Sequence, residues 1–247
     1  MGRRLPTGVL RVTLPGVAHV FRFFLPPAGA VAAGERVALS EDDAHRLHKV
    51  LRLDAGEVVE AADGRGRVFT AVVDSPKLGT LVLGDERPGQ PALAPIRVLL
   101  AQSGPRADDA VEKLVELGVA EIGPLLAAGR RREARTDRWE RIATGAAAQA
   151  KLSCVPTILE PVAYADALAA GGIVCSHEEH DTSLADALTT ATRPITLLIG
   201  PEAGFGAEEL AEARAASCPI VTLGATVLRT ETAAIVAAAL ARERCDS

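Results

Sequence analysis

Aromatic residues are scarce in this chain. Phe, Trp and Tyr together make up 3% of its 247 residues, with one Trp and one Tyr, whereas hydrophobic residues of all kinds reach 48%. Aliphatic side chains and alanine must therefore fill the core. A chain of this length and hydrophobic content can form one large domain or two smaller ones.

Paired cysteines and long apolar runs are also missing. The four cysteines (Cys154, Cys175, Cys218 and Cys245) include no C-x-x-C pair, which argues against a zinc or dithiol motif. The N-terminus lacks the apolar stretch of a secretory signal, and no apolar run approaches the roughly 18 residues of a membrane-spanning helix. We expect a cytoplasmic protein with reduced cysteines, no bound metal and no membrane anchor.

The formal net charge of −5 is unevenly distributed. Residues 1–93 contain 12 Lys and Arg against 11 Asp and Glu, while residues 94–247 contain 15 against 21. Within the acidic half, residues 129–141 (GRRREARTDRWER) carry six arginines and three acids. Such a basic segment is compatible with RNA binding and equally with a solvated helix face.

The first half of the chain has the pattern of a small β domain. Short Val-rich segments separated by turn residues predict strands at GERVALS (34–40), GEVVEAAD (56–63), GRVFTAVVD (66–74) and GTLVLGD (79–85). DGRG (63–66) favours a hairpin turn between the second and third of these strands.

One helix interrupts this pattern at residues 40–53. Ser40 is suited to cap it, and Asp43 occupies the third helical position, as in a capping box. The helical spacing places Leu47, Val50 and Leu51 on one face. We therefore expect a small β-barrel with one helix packed on it.

Beyond a Pro- and Gly-rich linker at 87–95, strands and helices alternate. Strands are predicted at 96–102, 121–126, 172–176, 195–200 and 219–224. Helices are predicted at 107–118, 135–152, 164–170, 183–190, 207–217 and 231–244. Near-continuous apolar strands between helices predict an α/β fold whose parallel sheet is covered on both faces.

Two loops follow predicted strands of this sheet, GPEAGFG (200–206) and GATVLRTETA (224–233). Ligands of such sheets bind at the carboxyl ends of strands. No G-x-x-x-x-G-K-[ST] sequence occurs, and Glu209 stands where a dinucleotide fingerprint needs its last glycine. Glu202, Glu208 and Glu209 would also repel a polyphosphate. The loops better suit a ligand with an adenosine, a zwitterionic tail and a positive centre, as in S-adenosylmethionine (SAM).

The two loops together carry a resemblance to a known family. LLIGPEAGFGAEEL (197–210) followed by TLGATVLRTETAAIVA (222–237) resembles the cofactor-binding signature of the SPOUT-class methyltransferases. More specifically it resembles the ribosomal RNA small-subunit methyltransferase E family, which methylates N3 of a uridine in 16S rRNA. FRFFLP (21–26), HRLHKVLRLDAGE (45–57) and VEKLVELGVAEIGPL (111–125) extend the resemblance over nearly the whole chain.

This resemblance implies two domains. Residues 1–90 are expected to form a PUA-like β-barrel that binds RNA, and residues 94–247 a SPOUT domain that binds the cofactor and forms a homodimer. The SPOUT sheet is expected to contain a trefoil knot, a rare exception to unknotted topology. The implied cofactor-binding residues are His177, Leu198, Ile199, Gly200, Pro201, Glu202, Gly204, Leu223, Gly224, Val227, Leu228, Arg229, Thr230, Thr232 and Ala233.

The implied chemistry is methyl transfer to a uracil nitrogen, which must first lose a proton. Arg229 is the candidate to stabilise the resulting negative charge, and Glu231 and His177 are candidate bases. Methylation at C5 would need a cysteine nucleophile, and neither loop contains one. The expected partner is 16S rRNA within the small ribosomal subunit, contacted by Arg22, Arg52, Arg130, Arg131 and Arg132.

Departures from the family's pattern leave alternatives open. Ala203 replaces a glycine of the first loop, and in AAAQAKLSCVP (146–156) Ala148 and Leu152 replace an acid and an arginine. These changes concern the RNA target and rate more than cofactor binding. The alternatives are a SPOUT methyltransferase acting on another RNA site, including a 2′-hydroxyl, and a non-catalytic RNA-binding scaffold of the same fold.

Overall fold

The structure is a computed structural model that describes residues 20–26, 31–89, 92–101, 105–127, 136–178 and 180–246. The chain divides into two compact units. The first comprises Met1–Ala92 with Lys151–Cys154, and the second comprises Leu93–Ala150 with Val155–Ser247. The sequence did not predict that Lys151–Cys154 belongs to the first unit.

The first unit is built on a five-stranded sheet with the strand order β1-β3-β4-β5-β2. Its elements are β1 (Arg22–Phe24), β2 (Arg36–Ala38), α1 (Glu41–His45), β3 (Val58–Ala62), β4 (Val68–Ser75) and β5 (Thr80–Arg87). The β1–β3 pair is parallel and the other pairs are antiparallel. Phe23, Leu47 and Phe69 lie in its hydrophobic core. The predicted strands are confirmed, whereas a closed PUA-like barrel stays a prediction.

The predicted helix is shorter than expected and changes its geometry. Ser40 caps α1 as predicted, because its hydroxyl accepts from the Asp43 N–H at 3.2 Å. The chain then forms a π-helical turn at Arg46–Val50. Hydrogen bonds in this turn span five residues, so the α-helical spacing no longer applies. The prediction was wrong for Val50, which is 64% exposed, while Leu47 is fully buried.

The second unit contains an eight-stranded sheet in which every pairing is parallel. Its elements are β6 (Ala94–Leu100), α2 (Pro105–Glu116), β7 (Val119–Leu126), α3 (Thr136–Gln149), β8 (Thr157–Ile158), β9 (Val162–Ala163), α4 (Tyr164–Ala169), β10 (Ile173–Cys175), β11 (Thr182–Ser183), α5 (Leu184–Leu188), β12 (Ile195–Ile199), α6 (Ala207–Ala215), β13 (Ile220–Thr222) and α7 (Thr230–Asp246). The strand order is β11-β13-β10-β12-β6-β7-β8, and β9 also pairs with β7.

Helices cover both faces of this sheet, which confirms the predicted parallel α/β fold. On one face α7 packs against β6, β12 and α2. On the other, Tyr164 and Leu168 of α4 and Leu210 of α6 share a core cluster with Leu99 and Leu198. The two-residue strands β8, β9 and β11 were not predicted, because they are too short to show a hydrophobic period. The trefoil knot stays a prediction.

Candidate functional site

Three neighbouring strands bring the two predicted loops together. The strand β10 lies between β12 and β13, with Cys175 paired to both Ile199 and Val221. All three strands are parallel, so their carboxyl ends meet at one edge of the sheet. The loops that follow β12 and β13, residues 200–206 (the first loop) and 223–229 (the second loop), therefore flank the end of β10. This edge is where ligands bind in open α/β sheets.

The first loop turns sharply and is anchored by an aromatic residue. The Gly204 N–H donates to the Pro201 carbonyl at 2.9 Å, and Gly204 has a φ of +72°, which favours glycine. Phe205 then returns to the core and is 7% exposed. A Cβ at Gly200 would lie 3.1 Å from the Phe205 ring, tighter than an ordinary contact. The two glycines thus let the chain cross the end of β12 and return within a few residues.

Glu209 supports the end of the first loop. Its Oε2 accepts from the Gly206 N–H at 2.7 Å, just before α6 begins, and its backbone carbonyl accepts from the Tyr164 hydroxyl at 3.1 Å. Burial raises the pKa of that hydroxyl, with a further contribution from the neighbouring Glu209 carboxylate, so Tyr164 remains a donor. Glu209 is 8% exposed and acts on the loop's backbone.

Glu202 is not the lone carboxylate that the sequence indicated. Its Oε1 forms an ion pair with the guanidinium of Arg106, the second residue of α2. The strands β6 and β12 are neighbours, and the pair joins the chain following one to the chain following the other. Sequence reasoning missed Arg106, because 96 positions separate the partners and no local pattern links them.

The second loop is held by hydrogen bonds at its start, and residues 224–227 are exposed to solvent. The Thr222 hydroxyl donates to the Gly224 carbonyl at 2.9 Å and accepts from the Gly224 N–H at 3.2 Å. Apart from their chain neighbours, none of the described residues has an atom within 4 Å of where a Cβ would sit on Gly204 or Gly224, so these residues leave space open beside both loops. Val227 is 76% exposed. The edge therefore offers accessible backbone at the two glycines and the apolar side chain of Val227.

The second loop ends in two charged residues at the start of α7. The Arg229 carbonyl accepts from the Ala233 N–H at 2.8 Å, while the Arg229 side chain is exposed. Thr230 is the first helical residue and is 5% exposed, whereas Thr232 is exposed. The Oε2 atom of Glu231 is buried and has no hydrogen-bond partner among the described residues. A buried carboxylate oxygen left unpaired is costly, so we expect it to meet a donor when the site is in use.

Most of the predicted cofactor-binding residues lie at this edge. Leu198 and Ile199 are core residues of β12, at most 2% exposed, and offer little surface to a ligand. His177 follows β10 and is exposed. The others lie on the two loops or in the first turn of α7: Gly200, Pro201, Glu202, Gly204, Leu223, Gly224, Val227, Leu228, Arg229, Thr230, Thr232 and Ala233.

The predicted RNA-binding residues are dispersed. Arg22 is 6% exposed and pairs with Glu60 at 3.0 Å, which favours a structural role for it over an RNA contact. Arg52 is exposed, with a φ of +54°. Arg130, Arg131 and Arg132 lie outside the described residues. Of the departures noted above, Ala148 is buried in α3, and Leu152 lies within the short segment that belongs to the first unit.

The described part of the chain lacks two features that would point to other functions. None of its helices is long and apolar enough to cross a bilayer. Within the same residues, no three His, Cys, Asp or Glu side chains are grouped as metal ligands would be.

Comparison with known proteins identifies the family. Residues 92–242 match the family described as RNA methyltransferase domain. The ribosomal RNA small subunit methyltransferase E of Mycobacterium bovis is 29% identical, with 86% of each chain covered. The Synechocystis protein of the same name is also 29% identical, with 89% of this chain and 76% of its own covered.

Solved structures agree with these relatives. A ribosomal RNA small subunit methyltransferase E from Neisseria gonorrhoeae, bound to SAM, has 29% identity and a TM-score of 0.76, with 90% of this chain and 96% of its own covered. A Legionella pneumophila protein in complex with SAM has 25% identity and a TM-score of 0.79, with 92% and 98% covered. This chain therefore belongs to the RNA methyltransferase family, in the group of the ribosomal RNA small subunit methyltransferases E.

Proposed function

We propose that this protein transfers the methyl group of SAM to N3 of a uridine in 16S rRNA. The observation that carries the proposal is the charged start of α7. There an exposed arginine, Arg229, is followed two positions later by a buried carboxylate oxygen of Glu231 that has no hydrogen-bond partner among the described residues. These groups lie at the end of a loop at the carboxyl edge of a parallel sheet. An anion-stabilising cation and a proton acceptor are what an imide nucleophile requires.

The residues of the two loops fit SAM better than a polyphosphate. The open backbone at Gly204 and Gly224 can approach a ligand closely, and Val227 offers apolar surface for an adenine. Glu202 places a negative charge beside this space, which suits a sulfonium and opposes phosphate. When bound, SAM supplies an electrophilic methyl group. Because no metal ligand is needed in this scheme, the affinity for SAM should survive EDTA, as measured by calorimetry.

The chain's own residues would then act on the uridine. The Glu231 carboxylate accepts the N3 proton, and Arg229 stabilises the negative charge that spreads to O2 and O4 of the base. The freed N3 lone pair forms the new bond to the methyl carbon as the carbon–sulfur bond breaks, which leaves neutral S-adenosylhomocysteine. Alignment of the reactants and exclusion of water supply the rest of the acceleration. His177, at the end of β10, is the second candidate acceptor.

The cysteine closest to these loops in the sheet does not favour the alternative chemistry at C5. Cys175 ends β10, between β12 and β13. Burial raises the pKa of its thiol to about 12, so the thiol is protonated at neutral pH. A protonated thiol is a poor nucleophile for the covalent attack that C5 methylation requires. This observation supports a reaction that proceeds without an enzyme–base adduct.

The experiment is to map the methylated nucleoside. Small subunits and naked 16S rRNA from a strain lacking the gene would be incubated with the protein and methyl-labelled SAM, then digested and separated with standards. We expect 3-methyluridine, and none with the Glu231→Gln variant. Detection of a 2′-O-methylated or another methylated nucleoside in place of 3-methyluridine would contradict methylation at N3 and identify the actual target atom. SAM binding without methyl transfer to either substrate would favour the non-catalytic scaffold.

A further inference from the structure

The ion pair between Arg106 and Glu202 is exposed to solvent and has no role in the proposed methyl transfer. Both side chains are about half exposed, at 49% for Arg106 and 61% for Glu202. An exposed pair of this kind adds little to stability, because water solvates both partners well. The pair includes a residue of the first loop and contributes little to stability, so we expect it to have a role in binding.

A second half-exposed arginine, Arg138 of α3, is held by a carboxylate of α2. The Arg138 Nε donates to Asp108 at 2.6 Å, and the Trp139 indole N–H donates to the other oxygen of the same carboxylate at 3.2 Å. Asp108 is two residues from Arg106, and Arg138 belongs to the arginine-rich segment 129–141. The first turns of α2 and α3 are thus fixed to each other, and each presents one arginine held by a single carboxylate.

A phosphate competes well for such an arginine. Two planar N–H donors of a guanidinium match a phosphate as closely as a carboxylate, and contact with RNA releases condensed counterions. Glu202, in contrast, would repel an approaching phosphate. Glu202 is 61% exposed, so its side chain can turn away into solvent when a phosphate takes its place, at the cost of a weak ion pair.

We propose that Arg106 is a positioning residue that grips an RNA phosphate next to the target nucleotide, and that Glu202 occupies its guanidinium until RNA binds. This inference rests on the proposed function, since it takes RNA as the substrate. It assigns to Glu202 a second role, as an internal competitor for phosphate, and it adds a contact that the predicted RNA-binding residues do not include.

The chain offers a matched control at the opposite edge of the sheet. Arg214 and Asp181 form an ion pair at 3.5 Å, with exposed fractions of 43% and 54%. The Asp181 N–H donates to the carbonyl of Ile220, the first residue of β13, so this pair lies at the amino edge. Arg214→Ala removes the same charge from a similar setting and should leave RNA binding unchanged.

The test measures binding of a single-stranded, uridine-containing RNA at several salt concentrations, without SAM. One lost phosphate contact on a single strand lowers the salt slope by about 0.7, which corresponds to roughly fivefold weaker binding near 0.1 M salt. We expect this for Arg106→Ala, a largely restored slope for Arg106→Lys, and several-fold tighter binding for Glu202→Gln. The gain from Glu202→Gln should shrink in the Arg106→Ala background.

Two results would overturn the inference. One is a salt slope in Arg106→Ala equal to that of the wild type and of Arg214→Ala. The other is a Glu202→Gln variant that binds RNA no more tightly than the wild type. Melting curves verify that each variant is folded. Failure of the proposed function can be distinguished from failure of this inference. In that case the wild-type protein would form no 3-methyluridine in small subunits, independently of how tightly the variants bind RNA.

Discussion

The ring of Phe205 packs against the ring of Tyr164, with the ring centres 5.4 Å apart. Phe205 is the last but one residue of the first loop, and Tyr164 is the first residue of α4. The contact ties a loop at the carboxyl edge to the core beneath it. Both residues are nearly buried, at 7% and 5% exposure.

Shortening Phe205 should loosen the first loop. We expect Phe205→Leu to lower the free energy of unfolding by about 1–3 kcal/mol, the usual range for a core substitution. SAM affinity should fall as well, because the loop then samples other positions. Urea unfolding and calorimetric titration check this. Phe69→Leu, in the core of the first unit, is the control, and it should lower stability while SAM affinity remains unchanged.

Removing the Tyr164 hydroxyl should have a pH-dependent cost. Tyr164→Phe loses the hydrogen bond to Glu209 and should cost about 1 kcal/mol at neutral pH. Because the pKa of Tyr164 is raised in the folded protein, the unfolded chain loses this proton first, near pH 10. The stabilisation is complete below pH 10 and is lost as the pH rises further, by up to about 1.4 kcal/mol per pH unit.

Tyr164 is the sole tyrosine, so tyrosinate absorbance reports on it directly. At a pH near 10, where the urea-unfolded chain shows about half of its tyrosinate, the folded protein should show clearly less. Equal titration curves for the two states would contradict the raised pKa. Urea curves at two alkaline pH values should show the difference between wild type and Tyr164→Phe shrinking.

Glu231→Gln should separate stability from activity. Its buried carboxylate oxygen has no partner in the described part of the chain, so replacement of the carboxylate by a neutral amide should leave the melting temperature unchanged or raise it. Loss of the proton acceptor should lower single-turnover methylation roughly 10²–10⁴-fold. Glu212→Gln on α6 is the exposed control, with no expected change. If the Glu231→Gln variant is less stable but has normal activity, Glu231 has a structural role and is not the proton acceptor.

Arg229→Ala should remain folded, because the Arg229 side chain is exposed. If that side chain acts on the uridine and only the backbone of Arg229 contributes to the cofactor site, the variant should still bind SAM. Its turnover should fall roughly 10²–10³-fold, the range seen when one donor to a developing negative charge is removed. Arg229→Lys should rescue only in part, since lysine lacks the planar two-pronged donor. The measurement is single-turnover methylation of small subunits. Near wild-type turnover in Arg229→Ala would leave Glu231 and His177 as the residues to examine.

The homodimer prediction now depends on the outer face of α7. Ala234, Ala237, Ala238 and Ala241 are fully buried within the second unit, so their small side chains serve packing inside one chain. Leu240 is 38% exposed and is the apolar candidate for an interface. Light scattering at micromolar concentration should give the mass of two chains, and Leu240→Glu should shift it towards one. Leu78→Glu, at a 73% exposed position of the first unit, is the control.

The sequence determined the elements and the local turns of this protein. Hydrophobic periodicity and glycine positions act over a few residues, so they predicted the longer strands, most of the helices and the two loops, but not the two-residue strands β8, β9 and β11. The DGRG turn is one example, since the Asp63 carboxylate accepts from the Arg65 and Arg67 N–H groups at 2.8 and 3.0 Å and closes the β3–β4 hairpin. The same locality explains why the Ser40 cap was predicted correctly.

The tertiary structure decided which of these elements became neighbours. Placing β10 between β12 and β13 brings His177 between the loops, and pairing β6 with β12 brings Arg106 to Glu202. The burial of the Glu231 oxygen and the exposure of Val50 depend in the same way on packing and on helix geometry. Contacts of this kind join positions far apart in the chain, and their energies depend on how much each group is desolvated when the protein folds. A local sequence pattern contains no information about that desolvation.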